Sequence, residues 1–324
     1  MTTTRKKTTT RKRKTTSTTT TSTTTGTATT TDFAPPPGGA RLAGGADDQP
    51  GPGARACEAR LEAVLLELGS VVVAFSGGVD SAYLAVVAAR VLGVRALAVT
   101  GDSPSLPAYQ REQAVRVARE FGLAHEFVQT HELDRAAYRA NAGDRCFHCK
   151  TELYGTLTAM ARARGFSAVV DGTNADDRGD YRPGRTAARA HGVRSPLDEV
   201  DLGKDDLRRL ARACGLGIWD APAAACLSSR VPHHTEVTAE VLGRIERAED
   251  ALRELGFRVV RVRHHGRLAR LEFGRDELPR ALEPGVAAAL DAAVKATGYD
   301  EVAVDPRGYR QGSLNEPLLL RPVT

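Results

Sequence analysis

The string Ser76-Gly77-Gly78-Val79-Asp80-Ser81 sets two glycines, two hydroxyls and a carboxylate where an apolar run gives way to a helical pattern. Glycines there let the backbone approach an anion with no Cβ in the way. The helix that follows offers N–H groups and the positive end of its dipole. Ser76 and Ser81 add hydroxyl donors, and Asp80, in the first helical turn, can cap that helix or engage Mg2+. Together these residues read as a pyrophosphate cradle. It is not a Walker A loop, because no Lys follows the glycines, and it is not a GxGxxG turn.

Five cysteines are the second chemical feature. Cys57 and Cys214 lie in helical contexts and read as structural. Cys146 and Cys149 form a C-x-x-C pair, the spacing of a metal or Fe–S ligand pair or of a redox dithiol. Cys226 stands four residues before Arg230, in a segment with neither helix nor strand pattern. Thiolate is the reactive form of cysteine, and a nearby cation favours it. The odd count and the lack of an apolar secretory core near the start speak against a disulfide framework and for a cytoplasmic protein.

These residues need a scaffold that brings them together. Helical spacing covers 56–69, 81–93, 107–122 and 149–165, and short strands cover 71–75, 95–102, 124–130 and 166–174. Strands separated by such helices imply βαβ units and a parallel sheet, with ligands at the carboxyl ends of the strands. The loops beginning at Ser76, Thr100 and Asp171 should share that edge. Thr100, Asp171, Gly172 and Thr173 there suit ATP or Mg2+, and Asp176, Asp177, Asp180 and Arg182 form a charged loop behind them. Lys150 and Arg194 can neutralise a phosphate or a carboxylate. Beyond residue 235 come an amphipathic helix (238–256), paired strands around a two-residue turn at Gly266, a helix (286–298) and a strand (299–305). The expected domains are a tail and linker (1–54), a nucleotide domain (55–233) and a smaller α/β domain (234–324). In the last, Arg261 and Arg263 share a strand face by the period of two, with His265 beyond them. That face reads either as an exposed basic strand or as a site for phosphate and carboxylates.

Composition narrows the partners. Of the net charge of +5, all is carried by residues 1–50, with eight Lys/Arg against three Asp/Glu; the rest holds 37 of each. The high pI is therefore no argument that the folded body binds nucleic acid. The Thr-rich opening cannot bury enough apolar area to offset its ordering entropy and is expected to be disordered. No run of 18 apolar residues is present, so no membrane partner is expected.

The SGGVDS string resembles the PP-loop of the ATP pyrophosphatase superfamily, which includes GMP and NAD synthetases, asparagine synthetase, and tRNA thiolation and lysidine enzymes. The strings "DGTNADDRGDYRPGRTAARAHGVRSPL", "APAAACLSSR", "RVRHHGRLARLEF" and "VDPRGYRQGSLN" narrow the likeness. Over about residues 58–316 the chain is similar to the ATP-dependent sacrificial sulfur transferases of the LarE type. The resemblance implies an α/β fold of the HUP type (adenine nucleotide alpha hydrolase-like): a parallel sheet with helices on both faces, plus a smaller C-terminal α/β domain. It implies ATP and Mg2+, and cleavage between the α and β phosphates. The implied substrate is pyridinium-3,5-biscarboxylic acid mononucleotide, whose carboxylates become thiocarboxylates on the route to the nickel-pincer nucleotide.

On this resemblance Ser76, Gly77, Gly78, Asp80, Ser81, Thr100, Gly172 and Thr173 hold ATP. Lys150, Arg182, Arg194, Arg261, Arg263 and Arg310 contact substrate, and Glu272 and Asp305 contact metal or substrate. Cys226, with Asp80 and Arg230, is catalytic: it forms a thioester and its Cβ–S bond then breaks. Three-cysteine members resemble cluster-dependent tRNA thiolases. Cys146, Cys149 and Cys226 therefore either hold a 4Fe–4S cluster with one iron open to hydrosulfide, or Cys226 is sacrificed beside an empty or zinc-filled pair. The family forms homo-oligomers, trimers or hexamers. Three other readings stay open: a PP-loop tRNA thiolase, kept alive by five arginines between Arg258 and Arg270; an amidating synthetase of the NAD/GMP synthase type; and a non-catalytic nucleotide sensor.

Overall fold

The run Val71-Val72-Val73-Ala74 is apolar at every position because both of its faces are covered. A computed structural model describes residues 1–2, 49–179, 183–222, 224–310 and 321–322; the expectations for the Thr-rich tail and for Asp180 and Arg182 lie outside them. The chain enters through α1 (Pro52–Leu68) and passes along β1 (Val71–Ala74), α2 (Val79–Leu92), β2 (Ala96–Asp102), α3 (Ala108–Glu120) and β3 (His125–Gln129). It continues through α4 (Ala136–Arg139), α5 (Arg145–Arg164), β4 (Ala168–Val170), α6 (Pro183–Ala190), α7 (Pro196–Glu199) and α8 (Lys204–Ala213). The four strands form one parallel sheet in the order β3-β2-β1-β4.

Strand alternation assigns the two faces. Val71, Val73 and Phe75 pack with Leu61 and Leu65 of α1, Leu84 of α2 and Leu207 and Leu210 of α8. Val72 and Ala74 pack with Tyr154, Leu157 and Ala161 of α5 and Ala187 and Ala188 of α6. The result is a Rossmann-like parallel α/β sheet with helices on both faces. From β1 the chain moves outward to β2 and β3, then returns to lay β4 on the other side of β1. The strand order reverses between β1 and β4, so the segments leaving them lead to opposite faces and a crevice opens at their carboxyl ends. Its base is tight. A Cβ at Gly172 would lie 2.7 Å from Ser81 N and 3.0 Å from Ser81 Cα, so only glycine fits where β4 ends against the first turn of α2.

Thr100 departs from its expected place in a loop. β2 stays paired with β3 through Asp102, which keeps Thr100 inside the strand and 1% exposed. Its hydroxyl donates to Phe75 O at 2.7 Å and meets His125 Nε2 at 2.9 Å.

The later elements are α9 (Ala239–Glu254), β5 (Val260–His265), β6 (Leu268–Phe273), α10 (Leu278–Ala281), α11 (Pro284–Lys295), β7 (Glu301–Val304) and β8 (Arg321–Pro322). They build a mixed sheet in the order β5-β6-β7-β8, whose β5–β6 hairpin turns at Gly266 with φ +65°. Leu242, Ile245 and Leu252 of α9 and Leu290 and Val294 of α11 pack on Val260, Val262 and Leu271. Both sheets lie in one compact unit. Among the described residues no helix is long and apolar enough to cross a membrane.

The two sheets are joined by charge as well as by packing. Arg230 and Glu249 of α9, both without solvent exposure, pair through Nε–Oε1 at 2.8 Å and Nη2–Oε2 at 3.1 Å. Glu249 Oε1 also accepts from Val262 N at 3.1 Å, and Oε2 accepts from Arg253 Nη2 at 2.9 Å. Burial by itself would raise the Glu249 carboxyl, but the Arg230 charge and hydrogen bonds outweigh it and hold the group at about 2. Glu246 of α9 further accepts from Ala108 N, at the start of α3, at 2.7 Å.

Two outcomes follow. Glu249→Gln leaves a buried guanidinium uncompensated and should cost about 3–5 kcal/mol in urea unfolding at neutral pH. Because the folded carboxyl lies below its unfolded value of about 4.3, the pair's contribution is complete above that pH. It is lost as pH falls toward 2, and the variant should lose that part of the acid slope. Gly172→Ala must displace the first turn of α2, so it should lower the melting temperature while circular dichroism still shows a folded chain.

Candidate active site

The crevice between β1 and β4 is a cavity of about 530 Å³ lined by Ser76, Gly78, Asp80 and Ser81 on one side and Asp171–Asn174 on the other. The hydroxyls predicted to act together do meet: Ser76 Oγ lies 3.1 Å from Ser81 Oγ. Ser81 Oγ also accepts from Ser76 N at 3.2 Å and donates to Gly78 O at 3.1 Å. Gly77 adopts φ +74°, and a Cβ there would meet Ala114 at 3.1 Å, so α3 backs the turn. α2 has no side-chain cap at its N-terminus. Asp80 therefore does not cap the helix, and the first-turn N–H groups point into a cavity that can take an anion.

Asp80 is engaged elsewhere, by a residue the motif did not reveal. Lys204 Nζ, at the first position of α8, lies 2.5 Å from both Asp80 oxygens. The backbone N of Lys204 donates to Asp176 Oδ2 at 2.6 Å. Asp171, 5% exposed, accepts from Tyr154 Oη at 2.6 Å, Ser195 Oγ at 2.8 Å and Thr173 N at 3.1 Å. That network fixes the end of β4 and with it Gly172 and Thr173. Lys150 also lines the cavity, its Nζ 5.2 Å from the centre of the Tyr154 ring. The Tyr154 oxygen, with the Asp171 carboxylate behind it, outweighs burial and keeps the Lys150 ammonium well above its ordinary value.

The cysteine loop lies on this cradle. Pro222 and Ala224 line the same cavity, and the Ala224 Cβ would stand 3.2 Å from a Cβ at Gly78. Cys226, half-buried and free, follows two residues later. Its backbone is held on three sides. Leu227 N donates to Ser105 O at 2.9 Å, Ser229 Oγ donates to Cys226 O at 2.8 Å, and Arg230 Nη1 donates to Ala225 O at 2.6 Å and Cys226 O at 2.8 Å. Arg230 was expected beside the sulfur as a catalytic cation. Its donors go to Glu249, Ser229 Oγ and these carbonyls, it has no exposed surface, and the nearby Cys226 sulfur adds to the support of its charge. It shapes the loop.

A second buried cation near the thiols is Arg145, 7% exposed at the start of α5. Its Nη1 donates to Ser228 O and Asn141 Oδ1, each at 2.6 Å. Burial opposes its charge, and the sulfurs of Cys226 and Cys146 overcome that opposition. Its position next to Cys146 was the signal available in the sequence. α5 begins earlier than its periodicity suggested, so Cys146 and Cys149 share its first turns. Burial pushes the Cys149 thiol up, and the nearby sulfur of Cys226 and the carboxylate of Glu132 push it further. The three sulfurs therefore sense one another. Among the described residues no group of three Cys, His, Asp or Glu is arranged around a single metal ion.

The remaining expected site residues are not brought here. Arg194 extends the sheet by a bridge to Val170, and its guanidinium pairs with Glu199 (Nε–Oε1, 2.7 Å) outside the cavity. Arg261 and Arg263 are 4% and 5% exposed, so their strand face is not an open basic surface. Arg263 pairs with Glu272 at 2.9 Å and donates to Ser229 O at 2.9 Å, and Arg261 lies over the Tyr309 ring. Glu272 also accepts from Arg270 at 2.9 Å. Asp305 accepts from Arg307 N at 2.9 Å and faces Arg310 Nη2 at 3.4 Å. Both carboxylates, expected near metal or substrate, are counter-ions to arginines. Three of the five arginines that kept tRNA in view are thereby buried.

No protein-family model matches the chain. An uncharacterised protein of Synechocystis is 44% identical over 252 residues, 78% of this chain and 94% of the relative. The pyridinium-3,5-bisthiocarboxylic acid mononucleotide synthase of Lactiplantibacillus plantarum is 35% identical over 262 residues, 81% of this chain and 94% of that enzyme. An uncharacterised protein of Methanocaldococcus jannaschii is 26% identical over 240 residues, 74% of this chain and 90% of its own length. With the glycine cradle, the cysteine loop and this extent of similarity together, the chain belongs to the LarE-type family of pyridinium-3,5-bisthiocarboxylic acid mononucleotide synthase.

Proposed function

We propose that this protein is an ATP-dependent sulfur transferase of the PP-loop kind. It adenylates a carboxylate of pyridinium-3,5-biscarboxylic acid mononucleotide, releases pyrophosphate, and converts the carboxylate to a thiocarboxylate for the nickel-pincer nucleotide. The observation that carries the reading is the packing of the Cys226 loop on the phosphate cradle at Gly78 and Ala224. The name of the Lactiplantibacillus relative supplies the substrate class.

The chemistry suits the residues. A carboxylate is a poor electrophile, and adenylation gives it AMP as a leaving group. The cradle of Ser76, Gly77, Gly78 and Ser81, at the uncapped end of α2, binds the pyrophosphate portion. The partly exposed Asp80 carboxylate fits Mg2+, which when bound would neutralise phosphate charge. The Arg145 guanidinium stands beside Cys226 and Cys146. Attack by the Cys226 thiolate on the acyl-adenylate expels AMP and leaves a thioester. Loss of the Cys226 Cα proton then sends the Cβ–S electron pair to sulfur, which departs as the thiocarboxylate and leaves dehydroalanine in the chain. Arg230 and Ser229 hold the loop backbone through both events.

Cys146 and Cys149, in the first turns of α5, and Cys226 are the soft donors that would be the thiolate ligands of a 4Fe–4S cluster. Bound there, it would supply an iron open to external hydrosulfide. One experiment separates the two sulfur sources. Anaerobic protein is given ATP, Mg2+ and the biscarboxylate nucleotide, and intact mass and thiolated product are followed together. Loss of one hydrogen sulfide from Cys226 per product marks the sacrificial route. Product at constant polypeptide mass, dependent on sulfide and iron, marks the cluster. Pyrophosphate release without thiolated product is the expected result for Cys226→Ala. Absence of both pyrophosphate and product from the unmodified protein would overturn the assignment.

A further inference from the structure

Among the described residues Lys204 is the cavity-lining residue joined directly to the Asp80 carboxylate, and the activity proposed above gives it no task. It lies 124 positions from Asp80 in the chain, yet its ammonium sits 2.5 Å from both Asp80 oxygens. The pair is about one-third exposed, at 30% and 28%. Such a pair contributes about 0–1 kcal/mol to folding, so stability is a weak reason for it. Its location is more informative. Asp80 occupies the first turn of α2, whose positive end faces the cavity. A carboxylate at that point repels a triphosphate unless a cation cancels it. Lys204 is delivered by the start of a second helix, α8, which is held to the cavity wall through Lys204 N and Asp176 Oδ2 at 2.6 Å.

We propose that Lys204 is a partner-exchanging lysine. Its ammonium is clamped by both oxygens of Asp80. When nucleotide arrives, Asp80 gives up the lysine, and the ammonium passes to the β and γ phosphate oxygens. No bond is made or broken; one charge-assisted contact is traded for another. The trade selects for ligands that carry a pyrophosphate group, because AMP has no phosphate placed to accept the lysine. The proposal rests on the nucleotide reading above and adds a residue that the SGGVDS string does not contain.

The test is calorimetric binding of inorganic pyrophosphate, with and without Mg2+, and of AMP, to the full chain and to Lys204→Gln. Lys295→Gln, which removes an exposed pair with Asp291, is the control. Lys204→Gln should weaken pyrophosphate binding about tenfold or more and leave AMP binding within about twofold, the size of one charged contact. Asp80→Asn should strengthen metal-free pyrophosphate binding in the wild-type background by releasing the lysine. That gain should shrink at least threefold in the Lys204→Gln background, a coupling that a merely tethering lysine would not show. Lys204→Gln binding pyrophosphate within twofold of the parent overturns the proposal, whatever its melting temperature. If the parent chain binds neither pyrophosphate nor ATP, the nucleotide reading falls first.

Discussion

A single buried ion pair ties the cysteine loop to α9 and, through it, to β5. Arg230 and Glu249 have no contact with solvent, and each is hydrogen-bonded on more than one side. Burying two charges is costly, and the cost is recovered only when the geometry is good and the remaining donors and acceptors are satisfied. Here they are satisfied by the very groups that need holding. Arg230 donates to the carbonyls of Ala225 and Cys226, and Glu249 accepts from the backbone of β5. The ion pair is therefore a rivet from α9 into the cysteine loop.

The second organising constraint is topological. Reversal of strand order between β1 and β4 creates one crevice, and the glycines let three separate chain segments reach it at van der Waals distance. Gly172 meets Ser81, Gly77 meets Ala114, and Gly78 meets Ala224. Each contact joins a different element to the phosphate turn. The glycine turn and the loop that contains Cys226 thus become neighbours although they are far apart in sequence.

Much of this was legible in the sequence because it is local. The SGGVDS turn, the parallel sheet and the hairpin at Gly266 follow from residue type and short-range period. What was not legible is pairing across the fold. Thr100 looked like the end of a strand, but the register with β3 carries β2 two residues further. Arg230 looked like a partner for sulfur because it is close in sequence; what no local pattern announced is Glu249, which accepts from two of its nitrogens. Arg261 and Arg263 alternate as an exposed basic face would, yet Glu272 and the cysteine loop cover Arg263, and Arg261 lies over the Tyr309 ring. Lys204 begins a recognisable helix, and nothing near it in the chain announces Asp80. Charges are the residues whose meaning most depends on tertiary partners, and they account for most of the differences.

The contact between Gly172 and Ser81 has a thermodynamic consequence. A phosphate turn rich in glycine ordinarily has much conformational freedom to lose when an anion arrives. In this protein the turn is already braced from below by the end of β4, from behind by α3 and from above by the cysteine loop. Its entropy was spent during folding, so little of the binding energy goes into ordering the backbone. The same bracing means that the cradle keeps its form between successive ligands.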